Sequence, residues 1–222
     1  MIYADIGCII WDCDGCLIDS ELLACGISAQ LLTELGYSIT AQGYIDRFAG
    51  QGIRHSIRII EDETGLPFME RFPFSRLYQE RELLFRANLK PIDGIKEVLD
   101  VLELPMCIAS GSEPDRLTLT LEITGLYEKF VGRIYSATQV AHGKPAPDLF
   151  LYAAHEMGVE PNRCLVVEDS ANGIMAAQAA GMPVLGFLGG SHASEAWGKK
   201  LKETGVEFLF DDMRDLPKIL AY

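Results

Sequence analysis

The chain has 222 residues, 49% of them hydrophobic, and a formal net charge of −13. That length and apolar content support one or two domains around a substantial core. The acidic balance, with no lysine–arginine cluster to offset it, excludes a nucleic-acid binder held by phosphate contacts, and no apolar run approaches the length of a membrane span.

The first residues, MIYADIG, lack the basic start and cleavage site of a secretory signal, so a cytoplasmic protein is expected. The first apolar run, Ile6–Trp11, reads as a strand and ends in Asp12-Cys13-Asp14-Gly15. Side chains alternate along a strand, so Asp12 and Asp14 share a face at its end. Two carboxylates so close repel unless a cation sits between them. The pattern suits a metal site or an acid/base pair, and equally two solvated turn residues. Cys13 and Cys16 have the C-x-x-C spacing, but no second pair or histidine completes a zinc set. They read as small residues of a tight loop. Cys8, Cys107 and Cys164 sit in apolar runs, as buried thiols do.

Residues 20–87 carry helical patterns only: Ser20–Leu35 up to Gly36, Ala41–Phe48, Ile53–Thr64 up to Gly65, and Phe74–Ala87. An all-helical block directly after a first strand reads as an insertion. Gly50-Gln51-Gly52 falls short of a nucleotide-binding loop, because the third glycine and the preceding strand are both missing. From Lys90 onward, apolar runs alternate with helical patterns. The runs are Met106–Ala109, Arg133–Ser136, Cys164–Val167, Pro183–Phe187 and Glu207–Phe210. Between them Ile95, Val98, Leu99 and Leu102 keep helical spacing, Ser112–Asp115 reads as a capped helix start, and Ala171–Ala180 stops at Gly181. Strands alternating with helices give an α/β fold: a three-layer, Rossmann-like parallel sheet. The expected core is 1–18 with 88–222, and the inserted helical domain is 19–87.

Ligands of such sheets bind beyond the carboxyl ends of the strands. There the chain places Asp12 and Asp14, then Ser110-Gly111-Ser112, then Gly143-Lys144-Pro145, then Glu168-Asp169-Ser170. Singly each has a plain reading: a helix cap, a surface lysine, acids at a helix N-terminus. Together they form a set suited to phosphoryl transfer. Carboxylates suit Mg²⁺, a lysine and helix N–H groups suit phosphate oxygens, and a carboxylate can serve as nucleophile.

The stretches "DCDGCLIDSE", "ASGS", "GKPAPD" and "EDSANGIMAAQAAGM" resemble, in order and spacing, the four motifs of the haloacid dehalogenase superfamily, in the subgroup with a helical cap after the first strand. The resemblance implies Asp12 as nucleophile and Mg²⁺ ligand. It implies Asp14 as general acid/base that lends its backbone carbonyl to the metal, Ser110 and Gly111 as phosphate-binding residues, and Lys144 as the lysine that orients Asp12 and neutralises the phosphoryl group. Asp169 becomes the remaining metal carboxylate, with Glu168 beside it. Gln51, Gly52 and Arg54 are the cap residues expected to choose the substrate.

Within that superfamily Asp14 argues against dehalogenation, and Phe48–Ser56 has no lysine for a Schiff base. Ala24 stands where mutases of the beta-phosphoglucomutase type usually carry histidine. The expectation is a Mg²⁺-dependent phosphatase for a sugar or sugar-acid phosphate, resembling 6-phosphogluconate phosphatases. A sugar phosphomutase and a non-catalytic phospho-acceptor or binding protein are the alternatives. The partner is a small phosphorylated metabolite, with no nucleic acid and no membrane. A monomer is expected, and a homo-oligomer is the alternative.

Overall fold

Six short apolar runs form one all-parallel sheet in the computed structural model, which describes residues 5–220. The reading of the chain's start as free of a leader rests partly on residues 1–4, outside the described residues. In chain order the elements are β1 Cys8–Trp11, α1 Glu21–Glu34, α2 Ala41–Phe48, α3 Ile53–Thr64, α4 Phe68–Arg71, α5 Phe74–Asn88, α6 Ile95–Val101, β2 Met106–Ser110, α7 Pro114–Thr124, α8 Tyr127–Phe130, β3 Ile134–Ser136, α9 Asp148–Met157, β4 Cys164–Glu168, α10 Ala171–Ala179, β5 Val184–Phe187, α11 Glu195–Glu203, β6 Phe208–Phe210 and α12 Leu216–Leu220. Among the described residues no helix is long and apolar enough to cross a membrane.

The chain divides into two compact units, Met1–Asp19 with Lys90–Tyr222, and Ser20–Leu89. Helix α5 runs on to Asn88, so the second boundary falls two residues later than the sequence pattern placed it.

In the sheet unit the strand order is β3-β2-β1-β4-β5-β6. Every residue of β1, β2 and β4 is buried, inward and outward alike. Both faces of the sheet are therefore covered, which is why these strands read as unbroken apolar runs instead of alternating ones. On one face Cys8, Ile10, Cys107, Ala109, Cys164 and Val166 pack against Leu149, Phe150, Ala153 and Ala154 of α9 and Ala176 and Ala177 of α10. The three cysteines there are small apolar filling. The chain runs outward from β1 through β2 to β3, then returns to the other side of β1 for β4. Neighbouring strands β1 and β4 thus mark a switch point, where open sheets form a crevice at the strands' carboxyl ends.

In the helical unit α1 packs on both α2 and α5. That explains its wide buried face of Ala24, Cys25, Ile27, Ser28, Ala29, Leu31 and Leu32. Helix α2 starts at Thr40, whose hydroxyl accepts from the Gly43 amide at 3.0 Å. Helix α3 buries Ile57 and Ile60, four and seven positions after Ile53, together with Ser56. The Tyr44 hydroxyl donates to Ser56 Oγ at 3.1 Å inside the unit.

Candidate active site

The register of the sheet brings the acidic residues together. Trp11 pairs with Val167, so the next residues, Asp12 and Glu168, leave neighbouring strands side by side. The Asp12 amide donates to the Val167 carbonyl at 2.9 Å, which extends the ladder one residue beyond β1. Asp12, Glu168 and Asp169 each offer a carboxylate oxygen, all within 4.8 Å of one another, and all three residues are buried.

Lys144 closes the group. Its Nζ donates to Asp12 Oδ1 at 2.5 Å and to Glu168 Oε2 at 2.7 Å, and its side chain is 9% exposed. Nζ also stands 4.7 Å from the centroid of the Phe150 ring. Burial by itself favours the neutral amine, but Asp12 and Glu168 outweigh it and raise the lysine's pKa above its ordinary value, so it stays charged. Burial, and then the neighbouring Glu168, push the Asp12 carboxyl well above the usual carboxylate range, against the downward pull of Lys144. Three buried carboxylates gather here, and the ammonium reaches two of them, Asp12 and Glu168. This imbalance is the electrostatic condition that a divalent cation relieves, and the oxygen-only donor set suits a hard cation such as Mg²⁺.

Glu168 is the most fully engaged of the three. Its Oε1 accepts from the Asp169 amide at 3.2 Å, the Ser170 amide at 3.0 Å and the Ser170 hydroxyl at 2.8 Å, and its Oε2 takes Lys144. It fixes the strand end and the lysine. The Ser170 hydroxyl in turn accepts from the Gly173 amide at 3.1 Å and caps α10. Asp169 lies against Gly15, which has φ of +89°, and a Cβ on Gly15 would overlap the Asp169 carboxylate. The glycine of the first motif is thus required both by its turn and by the approach of this acid.

Asp14 faces elsewhere. Its Oδ2 accepts from the Ser112 hydroxyl at 2.6 Å and its Oδ1 from Arg116 Nη2 at 2.7 Å. Its carboxylate is not part of the buried triad. Ser112 is not the cap its sequence context suggests: α7 begins at Pro114 with Glu113 before it, and the Ser112 hydroxyl donates to Asp14. The reason lies in the chain's path, since Pro114 at the first turn already tolerates a missing donor. Ser110 is buried at the end of β2, and its Oγ accepts the Ser112 amide at 3.1 Å; Gly111 between them is exposed.

Arg116 was missed in the sequence because it stands outside every motif and reads as an ordinary helix arginine. His192 was missed for a similar reason: as a loop residue it gave no sign of being buried, yet it is 1% exposed with Nε2 2.9 Å from Asp169 Oδ2. Trp197 is buried and donates its indole N–H to the Asp169 carbonyl at 2.8 Å. His142 and His155 are exposed and pair with Asp148 and Glu156. Cys16 Sγ is 4.0 Å from Asp169 Oδ1, and burial pushes the Cys13 and Cys16 thiols well up, which leaves this pair unsuited to redox chemistry.

In the helical unit Gly50 and Gly52 have φ of +77° and +73°, and Gly52 leads into α3. Gln51 Nε2 donates to the Arg47 carbonyl at 3.3 Å. The Arg54 guanidinium carbon lies 4.1 Å from the centroid of the Phe74 ring.

The model of the haloacid dehalogenase-like hydrolases matches residues 9–187. The chain is 27% identical over 187 residues to the 6-phosphogluconate phosphatase of Escherichia coli (strain K12), covering 84% of this chain and 85% of that protein. It is 31% identical over 179 residues to a fructose-1-phosphate phosphatase of the same organism, covering 78% and 92%. A solved structure of a haloacid dehalogenase-like protein from Agrobacterium tumefaciens superposes with a TM-score of 0.89 at 38% identity, over 97% of this chain and 98% of that one.

Proposed function

The chain belongs to the haloacid dehalogenase-like hydrolases, and from that premise we propose that it is a Mg²⁺-dependent phosphatase that hydrolyses a sugar or sugar-acid phosphate through an aspartyl-phosphate. The observation that carries this reading is the 2.5 Å contact of Lys144 Nζ with Asp12 Oδ1 inside a buried carboxylate triad. A lysine so placed holds one oxygen of Asp12, which turns the other toward an incoming phosphorus.

Asp12 attacks phosphorus, a P–O bond to the sugar breaks, and the phosphoryl group passes to the carboxylate. Asp14 supplies the proton that the departing alkoxide needs, then takes one from the water that attacks the acyl phosphate; inorganic phosphate leaves and Asp12 is restored. The Ser112 hydroxyl and Arg116 position the Asp14 side chain through bonds to Oδ2 and Oδ1. Lys144, Ser110 and the Gly111 amide balance the phosphoryl charge. Asp12 and Asp169, with the backbone carbonyl of Asp14 and with Glu168 behind them, would hold Mg²⁺. Bound there, the ion would offset charge on the phosphoryl oxygens and among the carboxylates.

The names of the two curated relatives support a phosphorylated sugar or sugar acid as substrate. Gln51, Gly52 and Arg54 are proposed as the residues that select the leaving group. The core groups grip only the phosphoryl group, which all phosphoesters share. The Arg54 guanidinium, 4.1 Å from the Phe74 ring centroid, is a group suited to a substrate carboxylate.

The test is a panel of sugar and sugar-acid phosphates with Mg²⁺, assayed for free phosphate and for isomerised product, on wild type and Asp12→Asn. Phosphate release by wild type and its loss by orders of magnitude in a folded Asp12→Asn protein are expected. Isomerised product without phosphate, or near wild-type hydrolysis by the variant, refutes the reading.

A further inference from the structure

Asp169 is held by more than its own strand end. After β5 the chain passes through Gly189-Gly190-Ser191-His192-Ala193 before α11 begins. Ser191 anchors this loop: its amide and hydroxyl both donate to Asp19 Oδ1, at 3.0 and 2.7 Å. The Ala193 amide donates to the Gly190 carbonyl at 3.0 Å, and Ser194 caps α11 by accepting from the Trp197 amide at 3.1 Å. These bonds set two side chains against one residue. His192 places Nε2 2.9 Å from Asp169 Oδ2, with both side chains at most 4% exposed. Trp197 binds the carbonyl of the same aspartate and stands edge-on to the imidazole, ring centroids 5.4 Å apart at 81°.

Burying an imidazole is costly unless it has a polar partner. The loop makes room for it in a specific way. A Cβ on Gly190 would lie 2.7 Å from both Cε1 and Nδ1 of His192, so the residue two before the histidine has no side chain where the ring sits. The other group near this carboxylate, the Cys16 thiol, is 4.0 Å from Oδ1 and a weak donor. The imidazole nitrogen, at 2.9 Å from Oδ2, lies much nearer this carboxylate than the Cys16 sulfur does.

We propose that His192 is a positioning residue for Asp169: it fixes the rotamer in which the aspartate offers an oxygen within 4.8 Å of those of Asp12 and Glu168, and so sets the affinity of the site for a divalent cation. The inference rests on the reading of Asp169 as a metal carboxylate. A ligand aspartate free to turn loses part of its binding energy to ordering. Outer partners that hold metal ligands are typically worth about 10–100-fold in metal affinity.

The experiment titrates Mn²⁺ into the full chain without substrate, following free ion by electron paramagnetic resonance. His192→Leu fills the space without a donor, and His192→Gln retains an N–H. The Leu variant should raise the Mn²⁺ dissociation constant by about 10–100-fold, and the Gln variant should recover most of that loss. A role in packing alone predicts the reverse order, Leu better than Gln. If His192→Leu does not fold, Gly190→Ala carries the test. Its added methyl displaces the ring while leaving every side chain of the site present, and it should weaken Mn²⁺ binding. Wild type and both variants binding Mn²⁺ alike overturns the role of His192 alone. A wild-type chain that takes up no Mn²⁺ overturns the metal reading itself, and the inference with it.

Discussion

Replacing Lys144 by methionine removes the one ammonium inside the acidic triad and keeps an unbranched stem of similar length beside Phe150. Asp12 and Glu168 then lose hydrogen bonds of 2.5 and 2.7 Å, at positions where their side chains are 10% and 1% exposed. Taking one partner from a buried pair costs about 3–5 kcal/mol, because the remaining charge has neither water nor counterion. The two contacts share one ammonium, so the loss is counted once. At about 2–4 °C per kcal/mol for a chain of this size, the melting temperature should fall by roughly 6–20 °C. The assay is thermal unfolding by circular dichroism, near neutral pH with a chelator present. Adding Glu168→Gln removes part of the repulsion, so the double variant should lose less than the sum of the singles, by about 0.5–3 kcal/mol. A shift under about 2 °C in Lys144→Met, or strict additivity in the double variant, would show that the lysine is not the charge balance of the site.

Chelation should abolish phosphate release and added Mg²⁺ should restore it; full turnover after exhaustive chelation, measured as free phosphate, contradicts the metal assignment. Arg116→Ala frees one oxygen of Asp14 and should lower kcat on alkyl phosphates by roughly ten- to a hundredfold, less than the whole contribution of a general acid. An aryl phosphate with a good leaving group should lose little, and equal losses on the two substrates would separate Arg116 from the acid role. All six cysteines are buried and none is in a disulfide, and the Cys8 thiol, through the neighbouring Cys107 thiol and through burial, is pushed up to about 12. A thiol reagent at mildly alkaline pH should therefore label the native chain slowly and the urea-unfolded chain at once; rapid labelling of the native chain would place a cysteine at the surface.

The strands and the acids at their ends were readable from sequence because each is written in neighbouring residues. An apolar run followed by Asp12 and Asp14 needs only the period of a strand, and "EDS" after Cys164–Val167 needs only the next one. What lies across the chain was not readable. Ser112 sits three residues before Asp115 and looks like a cap, but the helix starts one residue later, after Glu113, and the Ser112 hydroxyl donates to Asp14, nearly a hundred residues earlier. His192 sits among glycines and serines, a composition that suggests an exposed loop, and only the anchoring of Ser191 on Asp19 buries it. Arg54 is expected from sequence only as a cap residue that chooses the substrate, and the ring it lies over comes from a helix twenty residues on. The same limit applies each time: local pattern reports backbone state, while side-chain partners depend on which distant segment arrives alongside.

The position of β1 in the middle of the sheet has a consequence for how the chain comes off the ribosome. Ile9 pairs with Met106 on one side and Leu165 on the other, both made well after it. The helical unit, by contrast, is one continuous stretch from Ser20 to Leu89. At a synthesis rate of about 5–20 residues per second, β1 waits several seconds for its first neighbour and several more for its second. During that interval the helices of 20–89 can already pack, while an apolar strand stays exposed with two open edges. The segment that carries the proposed nucleophile is thus made before both of its sheet partners, and newly made chains are open to misassociation through it until β4 emerges.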